Sequence, residues 1–354
     1  MSSDDVIIRR EGRAGRLTMN RPKALNALTT PMVAAITKAL ENWQNDPAVE
    51  QVVLDAEGDR ALCAGGDVMS LYNSRNDGSG VAREFWSTEY RLNAIIENYP
   101  KPFVAIMDGI VMGGGIGLSG HASHRIVTER SMVAMPETSI GLIPDVGGTW
   151  LLARAPGEVG IYLGLTGARM SGADAIFARF ADTFVASERL NDLKQALLST
   201  DAASLLVVIA SFASATPPSE LKALALEVDR DFAGASVEGI FAALERNGSP
   251  WGAKTLAGLK SKSPRALKAT LATIRQARTL PSLEAALDVE YRLCCRLFED
   301  GEFPEGVRAL LVDKDRAPKW NPATLAEVTA ADVAQLLSPL PAGQELGLWL
   351  GFRS

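Results

Sequence analysis

The chain has 354 residues, 47 % of them hydrophobic and 22 % charged, and a formal net charge of −6; this is enough apolar material for one large or two moderate globular domains. No block of Lys and Arg stands out, which argues against DNA or RNA as a partner because phosphate backbones need a clustered basic face. A small phosphorylated ligand is still compatible, since a local patch or a helix N-terminus suffices for it.

The N-terminal stretch from Met1 to Asn20 has neither the apolar core of a signal peptide nor the Arg/Ser-rich, acid-poor character of an import signal. Strands are predicted at Val6–Ile8, Arg16–Met19, Gln51–Asp55, Phe103–Met107, Arg125–Thr128 and Met132–Ala134, each bounded by Gly, Pro, Asn or Asp. Helices are predicted at Thr29–Asn45 and Val81–Tyr99. This alternation predicts an α/β fold over residues 1–190. Strand signals nearly vanish beyond Ser187. Helices are expected at Leu190–Leu198, Ser219–Phe232, Val237–Arg246, Pro264–Ala277, Leu283–Phe298 and Ala330–Leu337, making 191–354 a helical region that covers the core or packs on neighbouring subunits. No apolar run approaches the ~20 residues needed to span a bilayer, so no membrane partner is expected. Cys63, Cys294 and Cys295 form an odd set with two adjacent, which points to a reducing compartment and a cytoplasmic location.

Four constellations could carry chemistry. In Ala61–Asp67 the paired glycines Gly65 and Gly66 either make a tight turn or expose N–H groups to a ligand without interference from a Cβ. The strand Phe103–Met107 leads into Gly113–Gly117, where a strand-to-helix transition leaves free donors suited to a phosphate or an oxyanion. Gly115–Gly120 also fits G-x-G-x-x-G, but the next strand follows too soon for a dinucleotide-binding βαβ unit. In Met135–Gly148, Glu137 and Asp145 sit among apolar residues. Asp145 either caps a helix starting near Val146 or, with Glu137, is a carboxylate of raised pKa; Glu137 otherwise points into solvent. Glu89 falls on the apolar stripe of its helix, between Phe85 and Leu92, and is either paired with an arginine or faces a cavity. His121 and His124, three apart on a short helix, lack companion ligands, so no metal is expected. Cys63 reads as a small core residue, and no G-x-S-x-G motif is present.

Taken in order, Asn20–Leu28, Cys63–Asp67, Met112–Gly117 and Pro136–Gly148 resemble the crotonase (enoyl-CoA hydratase/isomerase) superfamily. Glu89–Asn93, Met135–Thr138, Pro144–Gly148, Glu290–Leu293, Glu305–Ala309, Asp313–Asp315 and Pro318–Trp320 sharpen the resemblance to its 3-hydroxyisobutyryl-CoA hydrolase subgroup. It implies a crotonase-like spiral of ββα units with a helical C-terminal region. It also implies that the Gly66 and Gly114 amides form an oxyanion hole and that Glu89, Gly114, Glu137 and Asp145 contact the acyl group. Lys23, Ala24 and Leu25, with Ala64, Gly65, Gly66 and Asp67, would flank CoA, the thiol carrier of the substrate; no separate cofactor is expected. Glu137 would act as nucleophile or general base, Asp145 would orient water or the substrate hydroxyl, and Glu89 would bind that hydroxyl or position Glu137.

Hydratases of the superfamily hold water between two glutamates, and the second of these falls at Gly117 here. That disfavours hydration, while Asp145 keeps double-bond isomerisation open. A non-catalytic acyl-CoA-binding protein is the alternative from another class. Superfamily members are often trimers or dimers of trimers, which the resemblance implies here unless the helix-rich C-terminal portion covers that surface.

Overall fold

The structure is a computed structural model and describes residues 4–77 and 80–349. The first three residues of the N-terminal stretch lie outside that range. The chain forms two compact units, 1–67 with 88–134 and 169–222, and 68–87 with 135–168 and 223–354. Each draws on residues before and after position 190.

The first unit holds the strands. A six-stranded sheet contains β1 (Val6–Glu11), β2 (Ala14–Met19), β3 (Gln51–Ala56), β5 (Phe103–Met107), β7 (His124–Val127) and β10 (Thr183–Phe184), in that order. The β1–β2 pair is antiparallel and the rest are parallel. A four-stranded sheet contains β4 (Ala61–Cys63), β6 (Ile110–Met112), β8 (Met132–Ala134) and β9 (Met170–Ser171). The chain repeats one step: β3 then β4, β5 then β6, β7 then β8, each time placing one strand in each sheet. A helix follows the second such pair at Gly114–Ser119. This is the ββα spiral that the resemblance implied, with parallel strands whose runs are apolar because both faces are covered.

The core under the six-stranded sheet joins Val53, Val104 and Ile126 to Leu190, Leu193 and Leu197 of the helix Leu190–Ser199, and to Leu205 and Ile209 of the helix Leu205–Phe212. Gly115 is required where it stands. A Cβ there would lie 2.2 Å from the Cys63 carbonyl oxygen, so the helix Gly114–Ser119 approaches β4 as closely as a backbone can.

The second unit is helical. Ser236, Ser249, Ser263 and Ser282 each cap a helix by accepting a backbone N–H, starting Val237–Asn247, Pro250–Lys260, Pro264–Ala277 and Leu283–Glu299. Leu283–Glu299 is buried along most of its length, and not only at its apolar positions: Asp288, Glu290 and Arg292 are buried too. Each of these three has a partner. Asp288 accepts from the Leu348 and Trp349 amides and Arg292 pairs with Glu345. Among the described residues no helix is long and apolar enough to cross a membrane.

Candidate active site

The first unit brings three predicted residues together. Gly66 forms an isolated parallel bridge with Leu28, in which Leu28 donates to the Gly65 carbonyl and Asp67 donates to the Leu28 carbonyl. The peptide groups flanking Gly66 are thereby used, and its own N–H faces away from Leu28. Gly114 opens the helix Gly114–Ser119, where the first N–H groups have no partner within the helix. A Cβ on Gly114 would stand 3.3 Å from the Gly66 nitrogen and 2.5 Å from Glu89 Oε1. The two amides and the Glu89 carboxylate therefore share one small space. Among the described residues neither amide has a backbone acceptor. Glu89 is 2 % exposed, as its place on the apolar stripe predicts. The same geometry explains why Gly114 has no side chain: a methyl would fill that space.

The segments expected to flank CoA are also brought together in this unit. Ala64 donates to the Leu25 carbonyl, Asn26 Nδ2 to the Ala61 carbonyl, and Arg21 lies 3.6 Å from Asp67. Leu25 and Asn26 both adopt positive φ, at 50° and 55°, which turns the chain so that Lys23 and Ala24 stay exposed. Lys23 is thus a cation free to meet a phosphate.

The second unit holds the acids. Glu137 starts a 3-10 turn after Pro136 and is 5 % exposed, so it does not point into solvent. Burial, then the charge of Asp145, raises its carboxyl well above the ordinary 4.5, against an opposing pull from Lys262. Among the described residues its Oε2 has no hydrogen-bond partner. Lys262 is itself buried, which brings its ammonium down to about 8, and donates to Ser139 Oγ at 2.6 Å. Asp145 is buried and lies 3.9 Å from Cys294 Sγ.

Two expectations are corrected. The helix expected near Val146 starts at Gly148 with Gly147 as its N-cap, so Asp145 does not cap it. Val146 and Gly147 both have positive φ, 53° and 78°, which no helix start at Val146 allows. The two histidines do not share a helix: His124 begins β7 and His121 lies in the preceding turn. Cys63 is a fully buried core residue whose thiol burial raises to about 12, far from a nucleophile. Among the described residues no cluster of three or more His, Cys, Asp or Glu is arranged to hold a metal.

Two residues here carry no role in the sequence reading, although Glu290 opens one of the segments on which the resemblance rests. Glu290 lies four residues after Ala286 and three after Leu287, on the inward stripe of its helix, which is the signal that flagged Glu89. Lys262 sits between two helices and has no local signal.

A family model described as enoyl-CoA hydratase/isomerase matches residues 14–337. The chain is 39 % identical over 347 residues to "3-hydroxyisobutyryl-CoA hydrolase, mitochondrial" of Gallus gallus, covering 96 % of this chain and 90 % of that protein. It is also similar to two solved structures. An enoyl-CoA hydratase from Rhodobacter sphaeroides is 48 % identical with a TM-score of 0.91, over 97 % of this chain and 99 % of that one. A carnitinyl-CoA dehydratase from Mycobacterium thermoresistibile is 45 % identical with a TM-score of 0.92, over 97 % and 98 %.

Proposed function

The chain belongs to the enoyl-CoA hydratase/isomerase family, and we propose that it hydrolyses a short 3-hydroxyacyl-CoA thioester, 3-hydroxyisobutyryl-CoA above all. The name of the chicken relative supports this substrate. The observation that carries the reading is the pairing of two buried carboxylates, Glu137 and Asp145, the first with an oxygen that no described residue partners.

In this reading the thioester oxygen accepts from the Gly66 and Gly114 amides. Those donors favour the tetrahedral state, in which that oxygen carries charge, over the planar one. Glu137 either attacks the carbonyl carbon, expelling CoA thiolate and leaving a mixed anhydride that water then opens, or takes a proton from the attacking water. Both routes need Glu137 ionised, and a carboxyl with a raised pKa is a stronger base than an exposed one. Asp145 orients the water or the substrate hydroxyl. Glu89 binds the hydroxyl, so an unhydroxylated analogue would leave a buried carboxylate without its ligand. Lys23, Ala24 and Leu25, with Ala64 to Asp67, flank the CoA. No step calls for a cofactor beyond that CoA.

Hydration of an enoyl-CoA is the second reading, favoured by the names of the two solved relatives. It needs a second carboxylate where this chain has Gly117, which is buried within the helix Gly114–Ser119 and offers no side chain. Free-thiol release separates the two. We expect CoA–SH from 3-hydroxyisobutyryl-CoA and much less from isobutyryl-CoA; an intact thioester with altered unsaturation would replace this reading by hydration or isomerisation.

The three cysteines are free and buried, which supports a reducing compartment; the cytoplasm is the location proposed. The chicken relative is named mitochondrial. A trimer or hexamer is proposed on the family resemblance alone.

A further inference from the structure

The helix Leu283–Glu299 carries a carboxylate that the proposed chemistry does not use. Glu290 is fully buried. Its Oε2 accepts from the Gly147 amide at 2.7 Å, and its Oε1 accepts from the Thr149 amide at 2.9 Å and from the Thr149 hydroxyl. Three donors from one short stretch therefore converge on one side chain.

That stretch is strained. Val146, a β-branched residue, and Gly147 both lie in the left-handed region, where a β-branched residue is an outlier. Such a backbone persists only where its surroundings over-determine it, and the bonds to Glu290 do that here. The stretch begins at Asp145, whose carbonyl accepts from the Gly148 amide at 2.6 Å. One turn beyond Glu290 on the same helix, Cys294 approaches the Asp145 carboxylate. One face of one helix thus meets both the strained backbone and the acid it carries.

We propose that Glu290 is a positioning residue for the hydrolysis: it pins Val146–Thr149 and so fixes Asp145 beside Glu137. The inference rests on the proposed function and deepens it. Burial, with the charge of Asp145 adding to it, raises the Glu290 carboxyl to about 8.

Glu290→Gln tests this. Glutamine keeps the shape but turns one acceptor oxygen into a donor, so either Gly147 or Thr149 loses its partner. The expected result is a fall in kcat for CoA release of about 10²-fold, the usual consequence of displacing an aligned group by ~1 Å. KM should change little, Tm should fall because a buried amide loses its acceptor, and deuterium exchange at the Gly147 or Thr149 amide should accelerate. A lowered Tm with wild-type kcat per folded molecule would overturn the proposal. Thr149→Val provides a second variant: it keeps the amide bond, removes only the hydroxyl donor, and should lose about tenfold in kcat, the effect of one neutral hydrogen bond. Wild-type turnover in both variants would overturn the proposal. The exchange measurement separates this idea from the reading beneath it. If the wild-type protein releases no CoA–SH from any 3-hydroxyacyl-CoA, the hydrolase reading fails. Unchanged protection of Gly147 and Thr149 in Glu290→Gln refutes the pinning whatever the reaction is.

Discussion

Glu137→Gln should give a folded protein whose release of CoA–SH from 3-hydroxyisobutyryl-CoA is slower by about 10³-fold, the range expected when a general base or nucleophile is removed. Glutamine matches the shape of the buried side chain, so the fold around it is kept. It cannot attack a carbonyl or accept a proton from water. The same substitution makes a prediction about stability. Burial, and then Asp145, hold the Glu137 carboxyl above 4.5 in the folded chain. Folding therefore favours the protonated form. The stabilisation tied to that proton is full below the unfolded value and is lost as pH rises through the folded one. Glutamine does not titrate. The Tm of Glu137→Gln should gain on wild type as pH increases above 4.5, measured by thermal melts across pH. Wild-type activity should show the complementary trend. Its kcat/KM should rise with pH through a limb lying above the ordinary carboxylate range, and that limb should vanish in the variant. Full turnover in Glu137→Gln would remove this residue from the chemistry.

Gly114→Ala should cost about 10²-fold in kcat, equivalent to the ~3 kcal/mol typically lost with one oxyanion donor. The added methyl would lie 2.5 Å from Glu89 Oε1 and 3.3 Å from the Gly66 nitrogen. It can be accommodated only by moving the Glu89 carboxylate or the Gly114 backbone. Either movement disturbs a group assigned to the substrate, and the methyl also occupies the space in front of the Gly66 amide. Gly258→Ala is the natural control, because a Cβ there meets nothing within 4 Å. Stopped-flow measurement of thiol release on the two variants decides the matter. Equal turnover in both would mean that the Gly114 amide does not serve the reaction.

Much of the fold is legible from local signals. Phe103–Met107 is read to the residue because its apolar run is bounded by Pro102 and Asp108; Pro264–Ala277 and Ala330–Leu337 are read because Ser263 and Thr329 mark their starts. The two-residue strands Met170–Ser171 and Thr183–Phe184 are too short to show alternation. They exist because distant strands offer a ladder edge, which no local window contains. Glu89 is legible because helical period places a charge on an apolar stripe. Glu290 carries the same signal, yet reading that helix by its apolar positions alone passes over it. Lys262 becomes visible only when tertiary packing buries it. The misplaced helix start at Val146 has a physical origin as well: Asp is a good N-cap by propensity, but the bonds from Gly147 and Thr149 to Glu290, 141 residues or more away in sequence, hold that backbone in the left-handed region instead.

A crystal structure with a non-hydrolysable thioester analogue of 3-hydroxyisobutyryl-CoA would test the assignment of roles in a single measurement. The analogue's carbonyl oxygen should lie about 2.7–3.1 Å from both the Gly66 and Gly114 nitrogens, with a Glu137 carboxylate oxygen in hydrogen-bonding or attacking range of the adjoining carbon. A carbonyl bound away from either amide, or one that Glu137 cannot reach, would contradict the account.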